Sequence, residues 1–223
     1  MKGIVLDWQA LSESQPELVL IPPQLRTQAE RLELKAGVTL FRVNDRVQNV
    51  FSVVSGEVRL VRLDHNGTEI VLQRSRGGFF AEASLDNKGY HCDAVVSEAG
   101  IILQFPVNAF RSALDEDADF RSAWMAHLAR EVRKLRAQCE RLSLHRAADR
   151  IIHYIESEGV DGIIILNQSR KAWASDLGLS HEALYRALSR LQANGVLQID
   201  GSQISTISRS SVNSASSNSK CNC

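Results

Sequence analysis

The amino-acid sequence predicts an α+β fold in three successive parts: an antiparallel β-roll or jelly roll, a long helix, and a winged helix-turn-helix. Three observations carry this reading. Residues 31–107 hold short apolar runs separated by turn residues. Residues 108–143 contain no glycine or proline and carry one apolar stripe. Residues 169–207 place two short helical stretches across a glycine turn and close with an Asp-Gly hairpin. The expected boundaries are 1–107 for the β-roll, 108–145 for the long helix, 146–208 for the winged helix-turn-helix and 209–223 for a tail.

A chain of 223 residues is long enough for two modest domains with separate cores. Lys plus Arg balances Asp plus Glu at 26 each, which argues against a non-specific nucleic-acid coat but leaves room for a few placed base contacts. No apolar run approaches the roughly 20 residues of a membrane span, and the first residues, with Asp7 and Glu13, lack a secretory core. A cytoplasmic protein with no membrane partner is expected. The four cysteines, Cys92, Cys139, Cys221 and Cys223, show no framework spacing and read as free thiols.

In the first part, Val38–Phe41, Val50–Val54, Val58–Leu63 and Ile70–Leu72 are the clearest strands, set off by Gly37, Asn44-Asp45, Gly56 and Asn66-Gly67. Short strands at this spacing suggest a barrel or sandwich. Val58–Leu63 alternates imperfectly, because Leu60 and Val61 are adjacent apolar residues.

In the second part, Trp124, Leu128, Val132, Leu135, Cys139 and Leu142 step by three and four and form one stripe, as in a coiled-coil seam. An identical helix across a two-fold axis is the favoured partner, so a homodimer is expected. The competing reading packs the stripe against the β domain of the same chain.

The third part opens with an amphipathic helix over Arg146–Glu158, stopped by Gly159, and a short strand at Ile163–Leu166. Trp173, Ala174 and Leu177 give the next helix an inner face, Gly178-Leu179-Ser180 is a tight turn, and Ser180 suits a helix N-cap. Beyond it Leu184, Ala187, Leu188 and Leu191 share one face, while Glu182, Arg186 and Ser189 point away and Tyr185 lies at the edge. Arg donates two hydrogen bonds to guanine and a carboxylate accepts from cytosine, so these outward types suit base reading. Their spacing of four also permits a Glu182–Arg186 ion pair. The helix start at Ser180 and His181 favours a phosphate. Ser169, Lys171, Ser180, His181, Glu182, Tyr185, Arg186 and Ser189 are therefore the candidate DNA-binding residues. A solvated helix face is the bland alternative, and the helix-turn-helix and wing context weighs against it.

With these motifs the stretch from about 30 to 208 resembles the CRP/FNR family of transcription regulators. The Gly-Glu of the family's barrel motif stands at Gly56-Glu57, and its recognition-helix pattern matches Ser180, Glu182 and Arg186. The resemblance implies a cyclic-nucleotide-binding-like sensor domain and a dimer on a palindromic operator with TGA…TCA arms, roughly 34 Å apart. RNA polymerase is a further expected partner. No catalysis is expected: a jelly-roll dioxygenase needs two His and a carboxylate, and the barrel offers only His65 and His91.

The resemblance also nominates an effector pocket of Glu82, Cys92, Asp93, Leu135 and Arg136. Family members that bind cyclic nucleotides hold the phosphate with Arg-Ser where this chain has Cys92-Asp93. A carboxylate at an anion clamp argues against cyclic AMP. With no cysteine before Cys92, the N-terminal cluster that holds an iron–sulfur centre in other members is missing. Haem or a thiophilic metal at His91, Cys92, Cys221 and Cys223 stays open, against a favoured reading of a surface His, a buried Cys and a dispensable, disordered tail. Two functional readings follow: a regulator switched by an effector, redox or metal signal, and an effector-independent one with a vestigial pocket.

Overall fold

The computed structural model describes residues 6–15 and 18–207. The chain forms two compact units that divide between Ala129 and Arg130. The tail 209–223, expected to be disordered, lies outside the described residues.

The first unit contains eight described strands: β1 (Glu30–Leu34), β2 (Thr39–Phe41), β3 (Asn49–Val53), β4 (Glu57–Leu63), β5 (Glu69–Ser75), β6 (Gly78–Phe80), β7 (Asp93–Glu98) and β8 (Gly100–Pro106). They make two antiparallel sheets, ordered β1-β8-β3-β6 and β2-β7-β4-β5, as the expected jelly roll requires. Between the sheets lies an apolar core that includes Phe41, Phe51, Val58, Leu60, Phe80, Tyr90, Cys92, Ala94 and Ile102.

The β4 pattern has a physical cause. Leu60 pairs with Gln73 but Val61 pairs with Val71, so Leu72 is an extra residue on β5 and the strict alternation breaks there. Both Leu60 and Val61 are buried. Strand β3 is apolar on both faces: Phe51 and Val53 enter the core between the sheets, whereas Val50 enters a second core behind β1-β8-β3-β6. The turn before β4 needs Gly56, whose φ is +83° and whose Cβ would stand 2.6 Å from the Glu98 carbonyl oxygen.

The second core is covered by helices α1 (Trp8–Ser14), α2 (Pro23–Arg26) and α3 (Val107–Glu116), and by the start of α4 (Ala118–Ser143). The single helix expected over 108–145 is thus two helices. Asp117 is extended (φ −110°, ψ 110°), and its side chain accepts the Phe120 N–H at 2.8 Å, ending one helix and capping the next. Trp124 also departs from the expected seam. It is buried against Phe79 and Phe110, with ring centroids 5.2 and 4.8 Å away, and the His127 ring stacks on it at 5.0 Å. Leu128 packs at the margin of the same core. Met125, Val132, Leu135, Cys139 and Leu142 are exposed. With Leu128 they step by three and four along α4, so Met125 takes the place in the stripe that the sequence had suggested for Trp124.

The second unit holds the rest of α4, then α5 (Ala147–Glu158), β9 (Ile163–Ile165), α6 (Arg170–Asp176), α7 (His181–Ala193), β10 (Leu197–Asp200) and β11 (Gln203–Thr206). The three strands form one antiparallel sheet ordered β10-β11-β9. The expected β10–β11 hairpin forms, but its two-residue turn is Gly201-Ser202, one residue beyond the expected Asp200-Gly201 pair: Asp200 still pairs with Gln203, and Gly201 takes φ +56°. Ile151, Ile155, Ile164, Trp173, Leu177, Leu184, Leu188 and Leu191 are among the residues of one core that fixes α6 and α7 against α5 and the sheet. Each fully buried large side chain contributes about 2 kcal/mol of hydrophobic stabilisation, so α7 is held by three such leucines along its inner face.

Candidate nucleic-acid interface and effector region

The helix-turn-helix is α6, the turn at Gly178, and α7. Its two helices start on serine caps: Ser169 Oγ accepts the Ala172 N–H at 3.2 Å, and Ser180 Oγ accepts the Ala183 N–H at 3.1 Å. Gly178 has φ +62°, a left-handed turn that suits glycine. The caps fix where α7 begins and so which residues face outward.

Leu184, Leu188 and Leu191 face the core, and His181, Glu182, Tyr185, Arg186, Ser189 and Arg190 are exposed. All of the candidates on α7 therefore fall on one solvent-facing surface at the amino-terminal two thirds of the helix. Lys171 and Ser169 are exposed on α6. Sequence reasoning missed Arg190, which lies four residues beyond Arg186 on the same side of the helix. The i,i+4,i+8 spacing of Glu182, Arg186 and Arg190 was the signal for it.

The expected Glu182–Arg186 ion pair does not form. The Glu182 carboxyl is held below the usual range by the nearby Glu182 backbone N–H and Ser180 hydroxyl, helped by the fields of His181 and Arg186. Two long exposed side chains lose rotamer freedom on pairing, and the exposed contact returns little. Glu182 and Arg186, 4 residues apart, thus present an exposed carboxylate and an exposed fork of donors that are not paired with each other. The His181 ring leans edge-on against Tyr185, with centroids 4.7 Å apart.

The effector candidates divide between the two units. Leu135 and Arg136 are exposed on the second-unit part of α4. In the first unit Cys92 is 1% exposed and packs in the core between the sheets. Burial pushes its thiol up to about 11, against the opposing field of Arg62. Asp93 points elsewhere, its carboxylate accepting the Val43 N–H at 2.6 Å. Glu82 begins a 3-10 turn, Glu82–Ser84, preceded by Ala81 in the left-handed region at φ +67°.

His91 and Cys92 do not converge on one point. The His91 ring Nδ1 meets the Ser84 hydroxyl at 3.0 Å, and its carbonyl accepts from Arg62 Nε at 2.8 Å. Burial, then Arg62, lowers the imidazole pKa. Among the described residues no group of three His, Cys, Asp or Glu side chains is placed to hold a metal ion, and Cys221 and Cys223 lie outside them. The residues present do not fit a cyclic-nucleotide phosphate either, since the two clamp positions supply a buried thiol and a carboxylate.

The space between the sheets is occupied by aromatic rings. Tyr90 stacks on Phe41 at 3.7 Å, Phe41 on Phe51 at 5.6 Å and Phe51 on Phe80 at 5.2 Å. The Tyr90 hydroxyl donates to the Asn49 carbonyl at 2.8 Å, which closes this ladder on the backbone of β3.

Comparisons with known proteins agree with this architecture. Residues 31–117 match the family model of the cyclic nucleotide-binding domain. Over 185 residues the chain is 26% identical to the transcriptional activator protein FnrA of Stutzerimonas stutzeri and 25% identical to the transcriptional activator protein anr of Pseudomonas aeruginosa. Each alignment spans 77% of this chain and 74% of the relative. Among solved structures, FixK2 from Bradyrhizobium japonicum superposes with a TM-score of 0.63 at 23% identity, over 81% of this chain and 93% of that one. FnrA and anr are transcriptional activators, and no helix among the described residues is long and apolar enough to cross a membrane. With a cyclic-nucleotide-binding-like jelly roll, a long helix and a helix-turn-helix in that order, residues 31–117 match the cyclic nucleotide-binding domain and the chain is similar to these transcriptional activators of the CRP/FNR type.

Proposed function

We propose that the protein works as a homodimer that reads a palindromic operator, one α7 helix in the major groove of each half-site. The single observation that carries this is the exposed polar face of α7, with Glu182 and Arg186 not paired with each other at the capped end of a helix anchored by Leu184, Leu188 and Leu191. Arg186 is assigned to guanine O6 and N7, and Glu182 to a cytosine N4 amino group. Ser169, Lys171, Ser180 and His181 are assigned to phosphates, with Tyr185 and Ser189 flanking the base readers and Arg190 added to them. The family pattern gives TGA…TCA as the arms. The dimer is assigned to the exposed α4 residues Met125, Val132, Leu135, Cys139 and Leu142. RNA polymerase is the partner on the promoter.

The test is binding to the palindrome and to a base-scrambled duplex. Glu182→Ala and Arg186→Ala are each expected to lower the ratio of the two affinities by about 5- to 150-fold while leaving folding and mass unchanged, since one bidentate contact is worth about 1–3 kcal/mol of discrimination. Unchanged discrimination in both variants overturns the assignment.

For the first unit we favour a regulator that does not answer to cyclic AMP. Switching by another effector, or by a redox or metal signal, is the first reading, and an effector-independent protein with a vestigial pocket is the second. The second is supported by the burial of Cys92, the use of Asp93 to hold the Val43 backbone, and the aromatic ladder between the sheets. Operator affinity that is indifferent to small anions, oxidants, haem and thiophilic metals supports the second reading, and a reproducible change with any of them supports the first.

A further inference from the structure

One guanidinium in the second unit joins two helix ends. Arg150, in the first turn of α5, donates from Nε to the Leu144 carbonyl at 2.8 Å and from Nη2 to the Leu142 carbonyl at 3.2 Å. From Nη1 it donates to the carbonyls of Leu177 and Gly178, at 3.1 and 3.0 Å. The first pair lies at the carboxyl end of α4, and the second pair lies at the end of α6, in the turn of the helix-turn-helix.

Carbonyls at a helix end lack intrahelical donors and carry partial negative charge, so a cation is well placed at either end. Here one planar fork satisfies both ends together, and its rigidity transmits their relative placement. The close approach supports the same point: a Cβ on Gly178 would stand 2.9 Å from Leu142 Cδ2 and 3.0 Å from Arg150 Nη1. A second arginine locks the other side of the joint. Arg141, on α4 and 3% exposed, donates to Ser157 Oγ and Glu158 Oε1, both at 2.9 Å, and lies over the Tyr154 ring at 4.6 Å. The core already holds α6 and α7 against α5; with α5 fixed to α4 by Arg141, Arg150 adds the direct polar link from the end of α4 to the turn before α7.

We infer that Arg150 is a positioning residue for DNA recognition: it sets the angle between the end of α4 and the helix-turn-helix, and thereby the half-site spacing that the protein accepts. This rests on the dimer and palindrome reading above. In a dimer joined through α4, the direction of each α7 relative to the two-fold axis follows from that angle. A loosened angle lets each α7 find its half-site over a range of spacings. Base preference, which belongs to Glu182 and Arg186, is untouched.

The experiment measures affinity of the full chain for inverted repeats whose central spacer is lengthened or shortened by one and two base pairs. Wild type, Arg150→Lys and Arg150→Gln are each compared on this series and on a duplex with scrambled half-sites. Lysine keeps the charge but not the fork, and glutamine keeps an amide donor without the charge. Wild type is expected to favour one spacing by at least about tenfold, the ordinary scale of one mismatched contact. Both variants are expected to compress that ratio to about threefold or less while keeping the wild-type ratio of cognate to scrambled sequence. A merely structural weakening lowers all affinities together and leaves both ratios as they were. The proposal is overturned if the variants keep the wild-type spacing ratio, or if spacing and base preference collapse together. A wild type indifferent to spacing overturns the palindrome reading and this inference with it, whereas loss of base preference only in Glu182→Ala or Arg186→Ala leaves both standing.

Discussion

Cys92 and Asp93 are adjacent in the chain and turn to opposite duties: the thiol fills the apolar space between the sheets, and the carboxylate holds the Val43 N–H at 2.6 Å. Cys92 is the bend residue before β7 and Asp93 its first residue, and their side chains part there, so the pair does not close on one ligand. Both positions are committed to the fold, where the family resemblance implies an anion clamp.

The thiol gives the first prediction. With its pKa pushed up to about 11 and only 1% of its surface exposed, Cys92 is deprotonated in roughly one molecule in a thousand at pH 8 and shielded in all of them. Peptide-resolved mass spectrometry after iodoacetamide treatment is expected to find Cys92 unmodified from pH 7 to 9 in native protein and fully modified in denaturant. Millimolar cyclic AMP is expected to leave Tm and operator affinity unchanged. Rapid native alkylation of Cys92, or a Tm rise with the nucleotide, contradicts this account of the first unit.

Ala81 stands before the 3-10 turn with φ +67°, is 2% exposed, and carries a Cβ in a region that costs a non-glycine residue about 1–2 kcal/mol. Ala81→Gly removes that strain but adds freedom to the unfolded chain, which offsets up to about 1 kcal/mol. A net gain of about 0.5 kcal/mol in urea unfolding at unchanged m-value is expected. A loss of more than 1 kcal/mol would mean that the methyl group's packing outweighs its backbone cost.

Glu57 is 3% exposed and meets Arg74 Nη1 at 3.0 Å, with Arg76 and the Ser97 hydroxyl also on its carboxylate. Removing one member of a buried charge group leaves the rest uncompensated, at about 3–5 kcal/mol. The arginines here are only partly buried and can rehydrate, which favours the lower end. Glu57→Ala is expected to lower unfolding free energy by about 3 kcal/mol, and Glu57→Gln by less, since the amide oxygen still accepts. Equal stability of Glu57→Ala and wild type, read by urea unfolding, would show the cluster to be energetically idle.

Where local chemistry decides the structure, the sequence was readable. Ser180 as a cap, a hairpin at Gly201 and the leucine face of α7 each depend on residues close in the chain, although the hairpin turns one residue later than Asp200-Gly201. Trp124 misled because its heptad step said nothing of Phe79 and Phe110, which reach it from a strand and from another helix. Asp117 looked like one more acid in a helical run until its carboxylate was seen capping Phe120. Arg150 left no trace in the sequence at all, since its partners are four backbone carbonyls and a carbonyl has no residue type. The outward face of α7 was legible, and the guanidinium that ties the turn before it to the end of α4 was not.

The exposed stripe on α4 provides the last prediction, and Cys139 serves as its reporter. Val132 and Leu135 are 45% and 52% exposed, and Cys139 follows four residues after Leu135 on the same stripe. If two copies meet there, Leu135→Glu places two carboxylates against each other in a seam that excludes water, a burden of several kcal/mol on association. Sedimentation is expected to show a dimer for wild type and a monomer for Leu135→Glu at micromolar concentration. Unfolding of the first unit should be unchanged, because Leu135 contributes nothing to its cores. The same substitution is expected to make Cys139 at least tenfold more reactive toward iodoacetamide, since a thiol in a packed seam is shielded and an exposed one is not. A wild-type monomer, or a Cys139 equally reactive in both proteins, would place the dimer contact somewhere other than this stripe.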